Sequence, residues 1–252
     1  MCTVTYIPAN DHSFILTSNR DESALRETSA TPVINTLDDV RILMPVDKKA
    51  GGTWIAASEK GRIVCLLNGA FERHKHEPPY KKSRGIVVLD SFGYPEVEAF
   101  IEEYSFEDIE PFTMLLIEWR AAISFTELRW DGKRTFKSEI DRSKSGIWSS
   151  APLYPKPVKE EKEHLFKEWI ERTGAPTTDE VRRFHHSQEF DVTRMMATEN
   201  PENKSKAVEM IRKHRVQTVS ITTLKVDESV AHMEYEDLLN NSFAKMELNL
   251  GK

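Results

Sequence analysis

Residues 1–22 read Met1-Cys2-Thr3-Val4-Thr5-Tyr6-Ile7-Pro8-Ala9-Asn10-Asp11-His12-Ser13-Phe14-Ile15-Leu16-Thr17-Ser18-Asn19-Arg20-Asp21-Glu22. Cys2 to Ile7 alternates apolar and polar side chains with a period of two, which marks a strand with one face buried. Ser13 to Thr17 sets Phe14, Ile15 and Leu16 between polar ends, and Pro8-Ala9-Asn10-Asp11 supplies turn formers between the two segments. The stretch predicts an antiparallel hairpin whose second strand closes on the charged run Ser18-Asn19-Arg20-Asp21-Glu22.

The same reasoning extends along the chain. Thr53 to Ala56 and Arg62 to Leu67 flank Ser58-Glu59-Lys60-Gly61, a second hairpin in which Gly61 takes positive φ. Gly51-Gly52 reads as a turn or a close backbone approach, and Asn68-Gly69 as a turn. Glu72 to Arg84 is polar and predicts a loop, with helical spacing following over Gly85 to Phe92 and Tyr94 to Tyr104, Pro95 lying in the first turn of the latter. Thr113 to Trp119 and Ala121 to Trp130 are strands, and Asp131-Gly132 turns the second into Arg134 to Phe136.

Val158 to Arg172 places Leu165, Phe166, Trp169 and Ile170 on one stripe before Gly174 and Pro176, a helix with a clear stop and a core-facing stripe. Thr177-Thr178-Asp179-Glu180 is a capping box opening another helix towards His186. Residues 187–206 are polar and turn-rich and predict a long loop. Thr218 to Val226 and Ser229 to Tyr235 form a last hairpin. Strand pairs at both ends with helices grouped between them predict an α+β fold of antiparallel sheets covered by helices, and no linker splits residues 1–252 into more than one domain.

Composition narrows the classes of partner. The chain has 252 residues, 39% of them hydrophobic, enough for a large core. A net charge of −6 argues against nucleic acid as a partner. Apolar runs such as Met114-Leu115-Leu116-Ile117 are far too short to span a bilayer, and the N-terminus lacks a basic region followed by an apolar stretch, so a cytoplasmic location is expected. Cys2 and Cys65 are then expected as free thiols, Cys65 as a small core residue within its strand. His74-Lys75-His76 reads as loop surface, and His185-His186 as helix-end packing rather than a haem site with Met195-Met196.

The chemistry concentrates at strand ends. Removal of an initiator methionine requires a small second residue, and cysteine qualifies, so Cys2 joins a thiol to a free α-amine. That amine titrates near ~7.7–8.0 and a thiol near ~8.5, which allows the amine to act as base to its own side chain. An arginine favours thiolate, an aspartate orients an ammonium, and an asparagine amide donates to an oxyanion. Arg20, Asp21 and Asn68 are residues of those kinds. This chemistry calls for no cofactor and no metal.

Met1-Cys2-Thr3, Thr17-Ser18-Asn19-Arg20-Asp21-Glu22, Gly51-Gly52-Thr53-Trp54-Ile55 with Gly61 nine residues after Gly52, Leu67-Asn68 and Ser83-Arg84-Gly85 together resemble the NRDE family, named for its tetrapeptide. The likeness is dense over residues 1–90 and thin beyond. It implies a four-layer αββα sandwich of the N-terminal-nucleophile (Ntn) hydrolase kind, cleaving a non-peptide amide of a small-molecule substrate. It further implies Cys2 as nucleophile and base, Arg20 and Asp21 as its electrostatic partners, and Asn68 as oxyanion donor. Ser150, in Trp148-Ser149-Ser150-Ala151-Pro152, stands where relatives carry asparagine. Arg215, in Lys213-His214-Arg215-Val216-Gln217-Thr218, retains the family's late arginine without its glycine. The resemblance leaves a second reading open, a binding or trafficking protein of the same fold for haem or a lipid-like metabolite.

Overall fold

The computed structural model describes residues 3–26, 31–119, 123–188, 216–227 and 229–251. Two antiparallel sheets carry the strands. The first contains β1 (Thr3–Asn10), β2 (Ser13–Ser23), β10 (Gly146–Ser149), β11 (Val216–Asp227), β12 (Val230–Asp237) and β13 (Ser242–Asn249), in the order β10-β1-β2-β11-β12-β13. The second runs β3-β4-β5-β6-β7-β8-β9, built from β3 (Val33–Leu37), β4 (Val40–Met44), β5 (Ile55–Ser58), β6 (Arg62–Asn68), β7 (Phe112–Trp119), β8 (Ile123–Trp130) and β9 (Thr135–Glu139).

Alternation along the strands builds the layers. On β6, Ile63, Cys65 and Leu67 join a core between the sheets, whereas Val64 and Leu66 join a second core on the outer face. β7 divides the same way, with Leu115 and Ile117 inward and Met114 and Leu116 outward. Central strands buried on both faces read as continuous apolar runs. The outer core is closed by α1 (Arg84–Asp90) and α2 (Val97–Glu103) through Val87, Val88, Val97 and Phe100. On the far side of the first sheet, Ile7 and Ile15 meet Phe166 of α3 (Lys156–Thr173) and Val181 and Phe184 of α4 (Thr178–Ser187). The result is the αββα sandwich that the resemblance implies.

Most expected elements are present, with shifted ends. Gly61 has φ +82°, Gly132 φ +98° and Gly174 φ +75°, each at the turn or helix stop assigned to it. Thr177 and Glu180 form the capping box reciprocally, the Thr177 side chain accepting from Glu180 N and the Glu180 carboxylate from Thr177 N. Pro95 lies before α2, whose N-cap is Glu96, rather than inside its first turn. Strands β3, β4, β10 and β13 had no counterpart in the periodicity. The Asp38-Asp39 turn between β3 and β4 has positive φ at both residues, a turn that Asp tolerates but that Asn-Gly announces more plainly. Most of the stretch expected as a long loop, residues 189–206, lies outside the described residues.

Gly51 and Gly52 divide the two uses proposed for them. Gly51 has φ +69° and turns the chain, whereas Gly52 lets the backbone of Gly85 at the start of α1 come into contact, with Thr53 N donating to Gly85 O at 3.2 Å. A Cβ on Gly52 would overlap that backbone, which has no flexible end to move aside. Gly52→Ala is therefore expected to cost at least roughly 2 kcal/mol in urea unfolding. Gly93, with no atom near its Cβ position, should tolerate alanine within about 0.5 kcal/mol.

Candidate functional site

The inner face of the first sheet changes character along its length. Tyr6, Phe14, Leu16, Leu224 and Val226 are apolar core at one end. Two-residue steps along the same strands bring Ser18 and Arg20 on β2, and Thr222 and Ser220 on β11, to that face at the other end. The register pairs Ser18 with Thr222 and Arg20 with Ser220, so the four form one polar patch.

That patch borders a cavity of about 460 Å³ whose lining includes Arg20, Asp47, Trp54, Asn68, Arg84 and Glu110. Arg20 is only 4% exposed. Its guanidinium lies over the Trp54 ring at 4.6 Å from the centroid, and Nη2 donates to Asp47 Oδ2 at 3.0 Å. Asp47 Oδ2 also accepts from Arg26 Nε at 2.8 Å, while Oδ1 accepts from the backbone N–H groups of Lys49 and Ala50. Burial raises the Asp47 pKa, but the Arg26 charge, the Ala50 N–H and the Arg20 charge together outweigh it and hold the carboxyl below its ordinary value.

The opposite wall is tied to the loop that follows β6. Arg84 Nη2 pairs with Glu110 Oε2 at 3.0 Å, and Nη1 donates to Pro111 O at 3.1 Å. Glu110 Oε1 accepts from His74 Nε2 and His76 Nδ1, each at 3.1 Å. An ionised carboxylate only accepts, so both imidazoles present N–H groups to it. His74, half-buried, is thus a fastening of the loop and not the plain surface expected of it, whereas His76 stays at the exposed surface as expected while reaching the same carboxylate. Burial raises the Glu110 pKa, and Arg84 with the two histidines more than offsets that, leaving it lowered.

The expected site residues divide into three groups. Arg20 and Asn68 line the same cavity, and the Asn68 side-chain amide makes no hydrogen bond among the described residues. Ser150 is brought to Asn68, its Oγ donating to Asn68 O at 3.1 Å, so it fastens the backbone at the end of β6. Asp21 follows Arg20 on β2 but does not line the cavity: Oδ1 accepts from Thr218 Oγ1 at 2.6 Å and Oδ2 from Tyr154 OH at 2.9 Å. Cys2 and Arg215 lie outside the described residues.

Sequence reasoning passed over Asp47 and Tyr154, partners of Arg20 and Asp21, and Glu110, which lines the same cavity and pairs with Arg84. Asp47 opens Asp47-Lys48-Lys49-Ala50-Gly51, an Asx-turn signature that was legible. Tyr154 and Glu110 carry no local mark. His185 is packing: Nε2 pairs with Thr5 Oγ1 at 2.8 Å and Nδ1 with Asn19 Oδ1 at 2.6 Å, and burial lowers its pKa to about 3, so it stays neutral. Cys65 is a buried free thiol, pushed up to about 12 chiefly by burial.

The family model described as Transport and Golgi organisation 2 matches residues 1–241. Among solved structures, a mutant conjugated bile acid hydrolase from Clostridium perfringens aligns with a TM-score of 0.60 at 10% identity, covering 98% of this chain and 92% of that one. Penicillin V acylase from Agrobacterium tumefaciens aligns with a TM-score of 0.50 at 14% identity, covering 98% and 86%. At such identities the likeness is one of fold. No curated protein sequence matches.

Because the folded Asp47 pKa is depressed, its contribution is complete above the unfolded value near ~3.9 and is lost as pH falls through the folded one. Asp47→Asn should cost roughly 3 kcal/mol at pH 7 by leaving the Arg20 charge buried without its partner. Thermal unfolding from pH 7 down to pH 3 should show the gap between wild type and variant narrowing only in the most acid part of the range.

Proposed function

Since the chain belongs to the Transport and Golgi organisation 2 family and folds as an Ntn-hydrolase-like αββα sandwich, we propose that it is an N-terminal-cysteine hydrolase that cleaves a non-peptide amide through an acyl-enzyme. The observation that carries this reading is the convergence of Arg20 and Asn68 on one cavity beside the start of β1. Thr3, one peptide bond after Cys2, pairs with Asn19, the neighbour of Arg20. The names of the structural neighbours, a conjugated bile acid hydrolase and a penicillin acylase, support the reaction class.

In this mechanism the α-amine of Cys2 takes the thiol proton and the thiolate attacks the amide carbon, forming a C–S bond. The carbonyl oxygen gains the negative charge, and the Asn68 amide donates to it. Collapse of the intermediate breaks the C–N bond, and the leaving amine takes the proton held by the α-ammonium. Water, deprotonated by the same amine, then attacks the thioester and releases a carboxylic acid, restoring the thiol. Arg20 favours thiolate through its charge. Asp21, fastened by Thr218 and Tyr154, orients the ammonium.

One observation favours the rival reading as a carrier. The Ser150 hydroxyl is engaged with a backbone carbonyl, so it offers the cavity no second amide donor. Cys2 decides between the two. Intact mass should show Met1 removed, and acyl-amide probes should leave adducts on Cys2 but none on Cys65, whose buried thiol stays protonated at neutral pH. Cys2→Ala should abolish the adducts and any turnover. Retention of Met1, or haem or lipid binding that is unchanged in Cys2→Ala with no adduct in wild type, would instead establish the carrier.

A further inference from the structure

The cavity is short of acceptors. Its described lining holds five cations, Arg20, Arg26, Lys81, Lys82 and Arg84, against the carboxylates of Glu22, Asp47 and Glu110, in a chain whose net charge is −6. Those carboxylates are committed. Asp47 serves both Arg20 and Arg26, Glu22 pairs with Arg26, and Glu110 holds Arg84 with two histidines. Lys82 is occupied by Asp90 outside the cavity, whereas Lys81, at the exposed rim, makes no ion pair among the described residues.

Two buried donors are left open on this wall. Arg20 Nη1 and Trp54 Nε1 have no hydrogen-bond partner among the described residues, although Arg20 is 4% and Trp54 3% exposed and their groups are stacked on one another. A buried donor without an acceptor is destabilising, and more so when charged. A ligand carbonyl would satisfy the hydrogen bonds. An anion would in addition complement Arg20, which shares Asp47 with Arg26, and Lys81 at the rim, unpaired among the described residues.

We propose that the cavity takes an acyl compound bearing an acidic group, a carboxylate or a phosphate, which accepts from Arg20 Nη1 and Trp54 Nε1 and is drawn in by Lys81. The inference rests on the hydrolase reading only in making that compound an amide. The donors would hold the same acid if it were never cleaved. Charge-assisted hydrogen bonds of this kind are roughly twice as strong as neutral ones, so selectivity between acidic and neutral ligands should be large.

Calorimetric titration of the full chain as Cys2→Ala, which consumes no probe, separates these terms. N-octanoylglycine, its neutral N-methylamide and N-octanoylphosphoethanolamine are the probes, the two acids distinguishing carboxylate from phosphate. At least one acid should bind about tenfold tighter than the methylamide. Lys81→Gln, at an exposed position, should reduce the preference by roughly threefold, and added salt should mimic it. Trp54→Phe retains the ring over Arg20 and deletes the open donor; it too should weaken the acid selectively. Equal or tighter binding of the methylamide, or no binding of any probe at millimolar concentration, overturns the proposal. Adducts of neutral amides on wild-type Cys2 with no acid preference would retain the hydrolase and discard the acidic ligand. Acid-selective binding without adducts would do the opposite.

Discussion

The Arg20 guanidinium is buried between two sheets, and a charge in that position is tolerated only where the surrounding chain is arranged to neutralise it. Asp47 does so from the turn after β4, so the ion pair joins β2 of the first sheet to the second. The same carboxylate organises its own loop through the N–H groups of Lys49 and Ala50. That loop carries Gly51 and Gly52, and Gly52 in turn sets how close α1 lies. One buried charge therefore reaches through turn, glycine pair and helix, and the cavity is the space that this arrangement leaves.

Elsewhere the sheets meet through ordinary apolar packing. Polar contacts between them lie towards the margins: Trp119 Nε1 donates to His12 O at 2.9 Å, and Trp148 Nε1 to Glu127 Oε2 at 2.8 Å. Buried indole N–H groups ordinarily find such partners. Trp54 is the contrast, because its Nε1 has no acceptor among the described residues although the residue is part of the cavity lining.

Two fastenings position the ends of strands that border the site. Ser150 holds the carbonyl of Asn68, and Tyr154 with Thr218 holds both oxygens of Asp21. Each joins residues far apart in the chain, Ser150 to the strand end whose Asn68 lines the cavity, and Tyr154 and Thr218 to Asp21, whose neighbour Arg20 lies on the opposite face. Adjacent residues on a strand point to opposite faces, so Arg20 and Asp21 meet different surroundings although the sequence sets them side by side.

Local pattern was sufficient for most of the elements. Period-two alternation identified β1, and short apolar runs bounded by turn residues identified β2, β5 to β8 and the β11–β12 hairpin; the stripe of Phe166 and Trp169 with Gly174, and the Thr177–Glu180 box, identified α3 and α4. These signals are readable because each arises from contacts within a few residues or from one buried face. β3, β10 and β13 escaped because they are edge or near-surface strands with mixed, partly exposed side chains, and β4 because its Asp-Asp turn lacks glycine. The motif residues Arg20, Asp21 and Asn68 were marked by sequence as candidates for one chemistry. That Arg20 and Asn68 share a cavity, that Asp21 accepts from Tyr154 and Thr218, and that Asp47 pairs with Arg20 was decided by the packing of the tertiary structure, because Asp47 lies 27 residues from Arg20 and Tyr154 lies 133 from Asp21, and no local rule of spacing connects them.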